Sequence, residues 1–173
     1  MKRRWDWLAD LTMRHGFTRG AELGVKEGRM TQFLLQYNPM LELIAVDLWA
    51  ERPEAAERKG GETYEDWDFG KIRSEFNQRV VDFVDRLTVC NMSTDEAAGQ
   101  VSDALDFVFI DAEHSYEGVS RDIERWRPLV RSGGLIAGHD FNHKWPMVQK
   151  AVTDHFHPMD VFLGPDSCWG VMV

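Results

Sequence analysis

Five residues able to exchange protons or hold a cation fall in two short stretches, FIDAEHSY and GHDF. Asp111, Glu113 and His114 belong to the first, His139 and Asp140 to the second. Apolar runs precede both, LDFVFI before Asp111 and LIAG before His139. Such runs read as buried strands, and in open α/β sheets ligands sit beyond the C-terminal ends of strands. Three carboxylates and two imidazoles offer two kinds of chemistry. Oxygen and nitrogen ligands can hold a divalent ion, and an imidazole that titrates near ~6.5 can accept a hydroxyl proton at neutral pH. His139 ends a strand on the cleft side and is the favoured base, with His114 a turn further out. The plain alternative is that these groups support loops by hydrogen bonding. His15, His143, His155 and His157 have no spacing that ties them to this edge.

A second constellation lies upstream, in RGAELGVKEG at 19–28, which reads as a short strand, a glycine turn and a helix. Gly24 and Gly28 lack Cβ atoms, so the backbone there can adopt left-handed dihedrals and approach a ligand closely. A dinucleotide fingerprint would need G-x-G-x-x-G, but Lys26 stands where the second glycine would be. Asp47 ends the next apolar strand, LELIAV, 25 positions after Glu22. That is close to the ~20-residue spacing at which an acid reaches a ribose diol, and the two acceptor oxygens of Asp47 suit two hydroxyl donors.

The ELGVKEG turn, AVDLW, FIDAEHSY and GGLIAGHDF together resemble a class I S-adenosylmethionine-dependent methyltransferase of the small O-methyltransferase-like kind, over about residues 20–141. The resemblance implies a Rossmann-like, doubly wound, mostly parallel seven-stranded sheet with an antiparallel last strand. It also implies S-adenosylmethionine as cofactor. Glu22 and Gly24 would border the methionine half, Leu48 and Trp49 would flank the adenine or ribose, and Asn91, Met92 and Ser93 would pass under the adenine. Ser93 has a stronger competing role, because S-T-D-E has the spacing of a helix capping box. Asp111, His114, His139 and Asp140 would then share a rim near the reactive methyl. In metal-dependent relatives an acid after the fourth strand and an Asp-Asn pair after the fifth hold a divalent cation, which here implies Asp111, His139 and Asp140. Histidine at the first position of that pair favours a softer ion such as manganese, iron or zinc, or no metal at all.

The rest of the sequence supplies the elements that position these residues. Trp5, Leu8 and Leu11 or Thr12 share a helical face, so an N-terminal helix over 1–16 packs on the sheet or closes one side of the cleft. Residues 50–70 are polar and without period, the one long loop, with Tyr64, Trp67 and Phe69 at its aromatic end. Loops of this length in compact domains tend to be functional, and this one is expected to act as a lid. Ile72, Phe76, Val80 and Val84 predict a helix, 87–90 a third strand and 105–110 a fourth. Val119, Ile123 and Trp126 mark another helix, Gly133-Gly134 turns into a fifth strand at 135–138, and Val148, Ala151, Val152 and His155 line a further helix. Residues 160–163 and 168–173 form a closing strand pair. This alternation gives an α/β sheet covered on both faces.

At 173 residues and 43% hydrophobic content, the chain suits one domain with a well-filled core. A net charge of −9 disfavours a surface that tracks phosphates, so no nucleic-acid partner is expected. No signal peptide or membrane span is visible, and a cytoplasmic protein is expected. Cys90 and Cys168 read as reduced core thiols. Seven tryptophans leave room for an apolar contact surface such as a homodimer would use. The functional expectation is O-methylation of a small-molecule hydroxyl. The alternatives are a metal-dependent hydrolase or oxygenase using Asp111, His114, His139 and Asp140, and a catalytically silent cofactor-binding protein.

Overall fold

The computed structural model of the chain describes residues 3–50 and 67–173. Its strands are β1 (Arg19–Leu23), β2 (Glu42–Asp47), β3 (Leu87–Asn91), β4 (Leu105–Ile110), β5 (Val130–Gly138), β6 (Phe162–Leu163) and β7 (Trp169–Met172). The helices are α1 (Arg4–Arg14), α2 (Arg29–Tyr37), α3 (Phe69–Val80), α4 (Thr94–Ala98), α5 (Tyr116–Trp126) and α6 (Pro146–His155). All seven strands form one sheet in the order β3-β2-β1-β4-β5-β7-β6. The first five strands run parallel, and β7 is antiparallel to both neighbours. The expected doubly wound sheet is borne out. Its order reverses between β1 and β4, where a ligand crevice is predicted.

Strand β4 shows why the sequence folds this way. Successive side chains of a strand point to opposite faces. Val108 and Ile110 pack with Ala97, Val119, Ile123, Trp126 and Ala151 on the side of α4, α5 and α6. Phe107 and Phe109 pack with Leu8, Met30 and Leu34 on the side of α1 and α2. A strand buried on both faces must be apolar throughout, as LDFVFI nearly is. Helix α3 covers the β2 end of the same face through Phe76 and Val80.

Two local expectations are corrected. The Ile72 to Val84 periodicity breaks because the α-helix stops at Val80 and a 3-10 segment, Val81–Arg86, follows. Three residues per turn instead of 3.6 rotate Val84 out of the core, where it is 67% exposed. Arg86, at the end of that segment, donates to the carbonyls of Leu35, Asn38 and Leu41 at 2.8–3.1 Å, serving groups that the end of α2 leaves open. The other correction concerns Gly133-Gly134, which lies inside β5. The β4–β5 register jumps from Leu105↔Val130 to Phe107↔Leu135, and a Cβ on Gly134 would stand 2.6 Å from the Asp106 carbonyl oxygen. The glycines make a bulge within the strand.

Helix α1 lies where the sequence put it, with Leu8, Ala9 and Thr12 buried. Two tryptophans pin it, Trp5 against Phe33 of α2 and Trp7 against Phe162 of β6. The expected lid lies for the most part outside the described residues, Tyr64 included. Cys90 and Cys168 are free and buried. Among the described residues no helix is long and apolar enough to cross a membrane.

Candidate active site

The C-terminal ends of β1, β2, β4 and β5 border one cavity of about 360 Å³. On its β1–β2 side, the backbone N–H of Gly24 donates to the Val46 carbonyl at 2.8 Å, tying the glycine turn to β2. Gly24 has φ +86°, and a Cβ there would fall 2.2 Å from the Asp111 carbonyl oxygen. Only glycine lets the β1 turn press against the end of β4. Glu22 is buried just before this turn and accepts a 2.7 Å hydrogen bond from Thr31 Oγ1. Burial raises its pKa to about 8; the Thr31 hydroxyl pulls it down and the nearby Asp111 charge pushes it further up. At neutral pH Glu22 therefore largely holds its proton.

Asp47 is set by backbone alone. Its Oδ2 accepts from Lys26 N–H at 2.9 Å and its Oδ1 from Trp49 N–H at 2.8 Å. Lys26 and Trp49 are both left-handed, with φ of 51° and 44°, and Trp49 Nε1 donates to the Lys26 carbonyl at 2.9 Å. Strained residues of this kind persist only where their surroundings over-determine them. Here the two bent loops fix one carboxylate at the mouth of the cavity, and each of its oxygens keeps a free lone pair.

On the opposite side, register does the placing. Ile110 pairs with Gly138, so Asp111 and His139 step off β4 and β5 side by side. Asp140 follows with φ 61°, a bend that turns its carboxylate back over the rim. Its Oδ2 lies 2.7 Å from His114 Nε2 and 3.2 Å from His139 Nδ1. Asp111 Oδ1 is 3.8 Å and 3.6 Å from the same two atoms. Trp145 stacks on His114 with ring centres 4.5 Å apart. Burial disfavours a charged imidazole, but the carboxylates of Asp111 and Asp140 outweigh it and hold both histidines up at about 9. Burial pushes against ionisation of the two aspartates as well, and contact with the histidines nevertheless holds both below the usual carboxylate range.

Most of the residues expected from the sequence meet here. Glu22, Gly24, Asp47, Leu48, Trp49, Met92, Asp111, His114, His139 and Asp140 all face the cavity. Both imidazoles do so, and position does not separate them as bases. Trp67 and Phe69, from the aromatic end of the long loop, also line it, and the Lys26 ammonium lies 3.8 Å from the centre of the Trp67 ring. Three expected residues stand off the wall. Gly28 is left-handed at the start of α2, and a Cβ there would meet Phe76 at 2.6 Å, so its bareness serves packing. Asn91 Nδ2 donates to the Leu48 carbonyl at 2.8 Å, bracing the loop after β2. Ser93 caps α4 in a capping box with Glu96.

Arg4, Thr31 and Trp145 were not anticipated. Arg4 Nη1 is 3.0 Å from Asp111 Oδ2 and 3.1 Å from His139 Nδ1. Its one sequence signal is helical phase, since positions 4, 8 and 12 form a stripe and Leu8 and Thr12 are buried. This guanidinium bears on the expected metal. Asp111, His139 and Asp140 each offer a ligand atom within 4.8 Å of the others, a donor set that in itself suits a divalent ion. With Arg4 in contact with two of the three, the trio does not fit an ion.

No curated protein matches the sequence. A methyltransferase-domain family matches residues 21–141, well over half of the chain. Among solved structures, an SAH-bound methyltransferase from Podospora anserina is 12% identical with a TM-score of 0.71, the match covering 99% of this chain and 79% of that one. An O-methyltransferase from Bacillus cereus in complex with SAH is 15% identical at 0.68, covering 98% and 80%. An rRNA methylase from Streptococcus thermophilus is 12% identical at 0.65, covering 99% and 95%. The glycine turn at Gly24, the paired strand ends and the matched family agree: the chain belongs to the methyltransferase-domain family and is an S-adenosylmethionine-dependent methyltransferase of class I fold.

Proposed function

We propose that the protein methylates a hydroxyl oxygen of a small molecule. The observation that carries this reading is a single cavity bounded on one side by Glu22, Gly24 and Asp47 and on the other by Asp111, His114, His139 and Asp140. A volume of about 360 Å³ is in the range of small-ligand pockets. When bound, S-adenosylmethionine supplies a methyl group on a sulfonium that departs as a neutral thioether. The protein must align an acceptor oxygen with that methyl and receive the proton that the hydroxyl gives up.

Asp47 would accept hydrogen bonds from the ribose hydroxyls through the lone pairs that Lys26 and Trp49 leave free. Glu22 would face the amino-acid end, where a nearby ammonium favours its ionised form and draws its pKa down from about 8. On the other side, His114 and His139 are the proton acceptors in their neutral forms, which gain population as the pH nears 9. Five acids besides Asp47 border the same cavity, Glu22, Glu27, Asp111, Glu113 and Asp140, alongside Arg4, Lys26 and Arg29, and the whole chain carries −9. This charge favours a small acceptor over a polyanion.

The test has two arms. S-adenosylhomocysteine should raise the melting temperature of the protein. Methyl-labelled cofactor should then deliver its label to a member of a panel of phenols and sugars and leave ribosomal RNA unlabelled. Label on RNA, or no melting shift, would reject the reading.

A further inference from the structure

We propose that Arg4 is a tethered cation that takes the place of a divalent ion at the rim, holding Asp111 in position beside His139 for methyl transfer. The proposal rests on the methyltransferase reading of the site and adds a positioning residue to it. Of the donors that an ion would need, Asp111 is paired with one guanidinium nitrogen at 3.0 Å, and the same nitrogen lies 3.1 Å from His139 Nδ1. Asp140 Oδ2 meets the same imidazole nitrogen, 3.2 Å from Nδ1. The rim thus places two carboxylates beside each other in a largely shielded pocket, and Arg4 adds a positive charge that, unlike those of the two imidazoles, persists at alkaline pH.

The delivery of Arg4 is built into the fold. It is the first residue of α1, and the helix behind it is fixed by the buried Leu8 and Thr12, by Trp5 on Phe33, and by Trp7 on Phe162. A Cβ on Gly164 would stand 2.6 Å from the Trp7 ring, so a bare backbone also receives that indole. A guanidinium remains charged at every working pH, and its planar fork holds a fixed geometry. A second cation among the same three ligands would lie within a few ångströms of it, and like charges so close in a shielded site repel strongly. Arg4 and a metal ion should therefore exclude each other.

Manganese binding followed by electron paramagnetic resonance tests this on the full chain, with S-adenosylhomocysteine melting shifts as a separate control for the cofactor site. The wild type should bind no manganese at the rim, and chelator should leave its turnover unchanged. Arg4→Met should gain one manganese site, lose it again when combined with Asp140→Asn, and lower kcat about tenfold or more with little change in the KM for cofactor. Manganese binding by the wild type equal to that of Arg4→Met, chelator-sensitive wild-type turnover, or an Arg4→Met variant with unchanged kcat and no manganese site would each overturn the proposal. Should Arg4→Met fail to fold, Arg4→Lys keeps the charge and should still exclude manganese; binding there would overturn it too. A wild type that shows no melting shift with S-adenosylhomocysteine would instead count against the methyltransferase reading, while the manganese result would still decide the role of Arg4.

Discussion

The two walls of the cavity are built on different principles. The β1–β2 wall is organised by backbone: Gly24 closes a turn against the Asp111 carbonyl, and two left-handed residues point N–H groups at Asp47. The β4–β5 wall is organised by side chains that hold one another, with Arg4, Asp111, His114, His139 and Asp140 in mutual contact. A wall fixed by backbone gives each side chain an independent role, whereas a charge network makes its members interdependent.

This contrast is open to experiment, and the largest effect belongs to the backbone wall. Gly24→Ala forces a Cβ onto the Asp111 carbonyl and should destabilise the fold by at least about 3 kcal/mol in urea unfolding; a near-neutral result would mean that the turn is not packed as described. Next comes Asp47→Ala, which removes charge-assisted hydrogen bonds to two hydroxyls and should weaken S-adenosylhomocysteine by roughly 100-fold in calorimetry. An unchanged affinity would take the ribose away from Asp47. On the network wall, Asp111→Asn and Asp140→Asn should each lower turnover by about tenfold or more while cofactor affinity stays near that of the wild type. Their combined loss should fall short of the product of the single losses, and strict additivity would erase the distinction between the walls.

The smallest effects are titrations. Raised imidazole pKa values mean that the stability the two histidines contribute is fully present below pH 6.5 and is lost as the pH rises through about 9. Turnover should climb over the same alkaline window, because neutral imidazole is the acceptor. A rate that is flat from pH 7 to 9 would argue for a different base. Glu22 follows the same sign. Its contribution is complete below pH 4.5 and declines as the pH passes about 8, so Glu22→Gln should flatten the fall in stability between those limits.

Much of the cavity was legible in the sequence, for a reason that can be stated. Asp47, Asp111 and His139 each follow an apolar run, and a run buried on both faces of a sheet has to release its chain at the ligand edge. The span of β4 could be read directly because every one of its positions but one faces a core. Arg4 was illegible because its meaning lies in a contact with His139, 135 positions away, and local pattern carries no information at that range. Gly28 was misleading because a missing Cβ serves packing as readily as ligand approach; Phe76, which needs the space, is far off in sequence. Val84 kept helical spacing in a segment that changes its pitch, and spacing alone does not report pitch.

Cys168 lies fully buried behind the rim, near enough that Asp111, Asp166 and Asp140 bear on its ionisation. Burial first, and then those negative charges, push its thiol up to about 12. At neutral pH the thiol keeps its proton. Sulfur anions are avid nucleophiles toward a sulfonium methyl, but Cys168 belongs to the core cluster of Leu8, Phe109 and Leu135 and does not line the cavity. Burial and protonation together leave this sulfur chemically quiet beside the cavity.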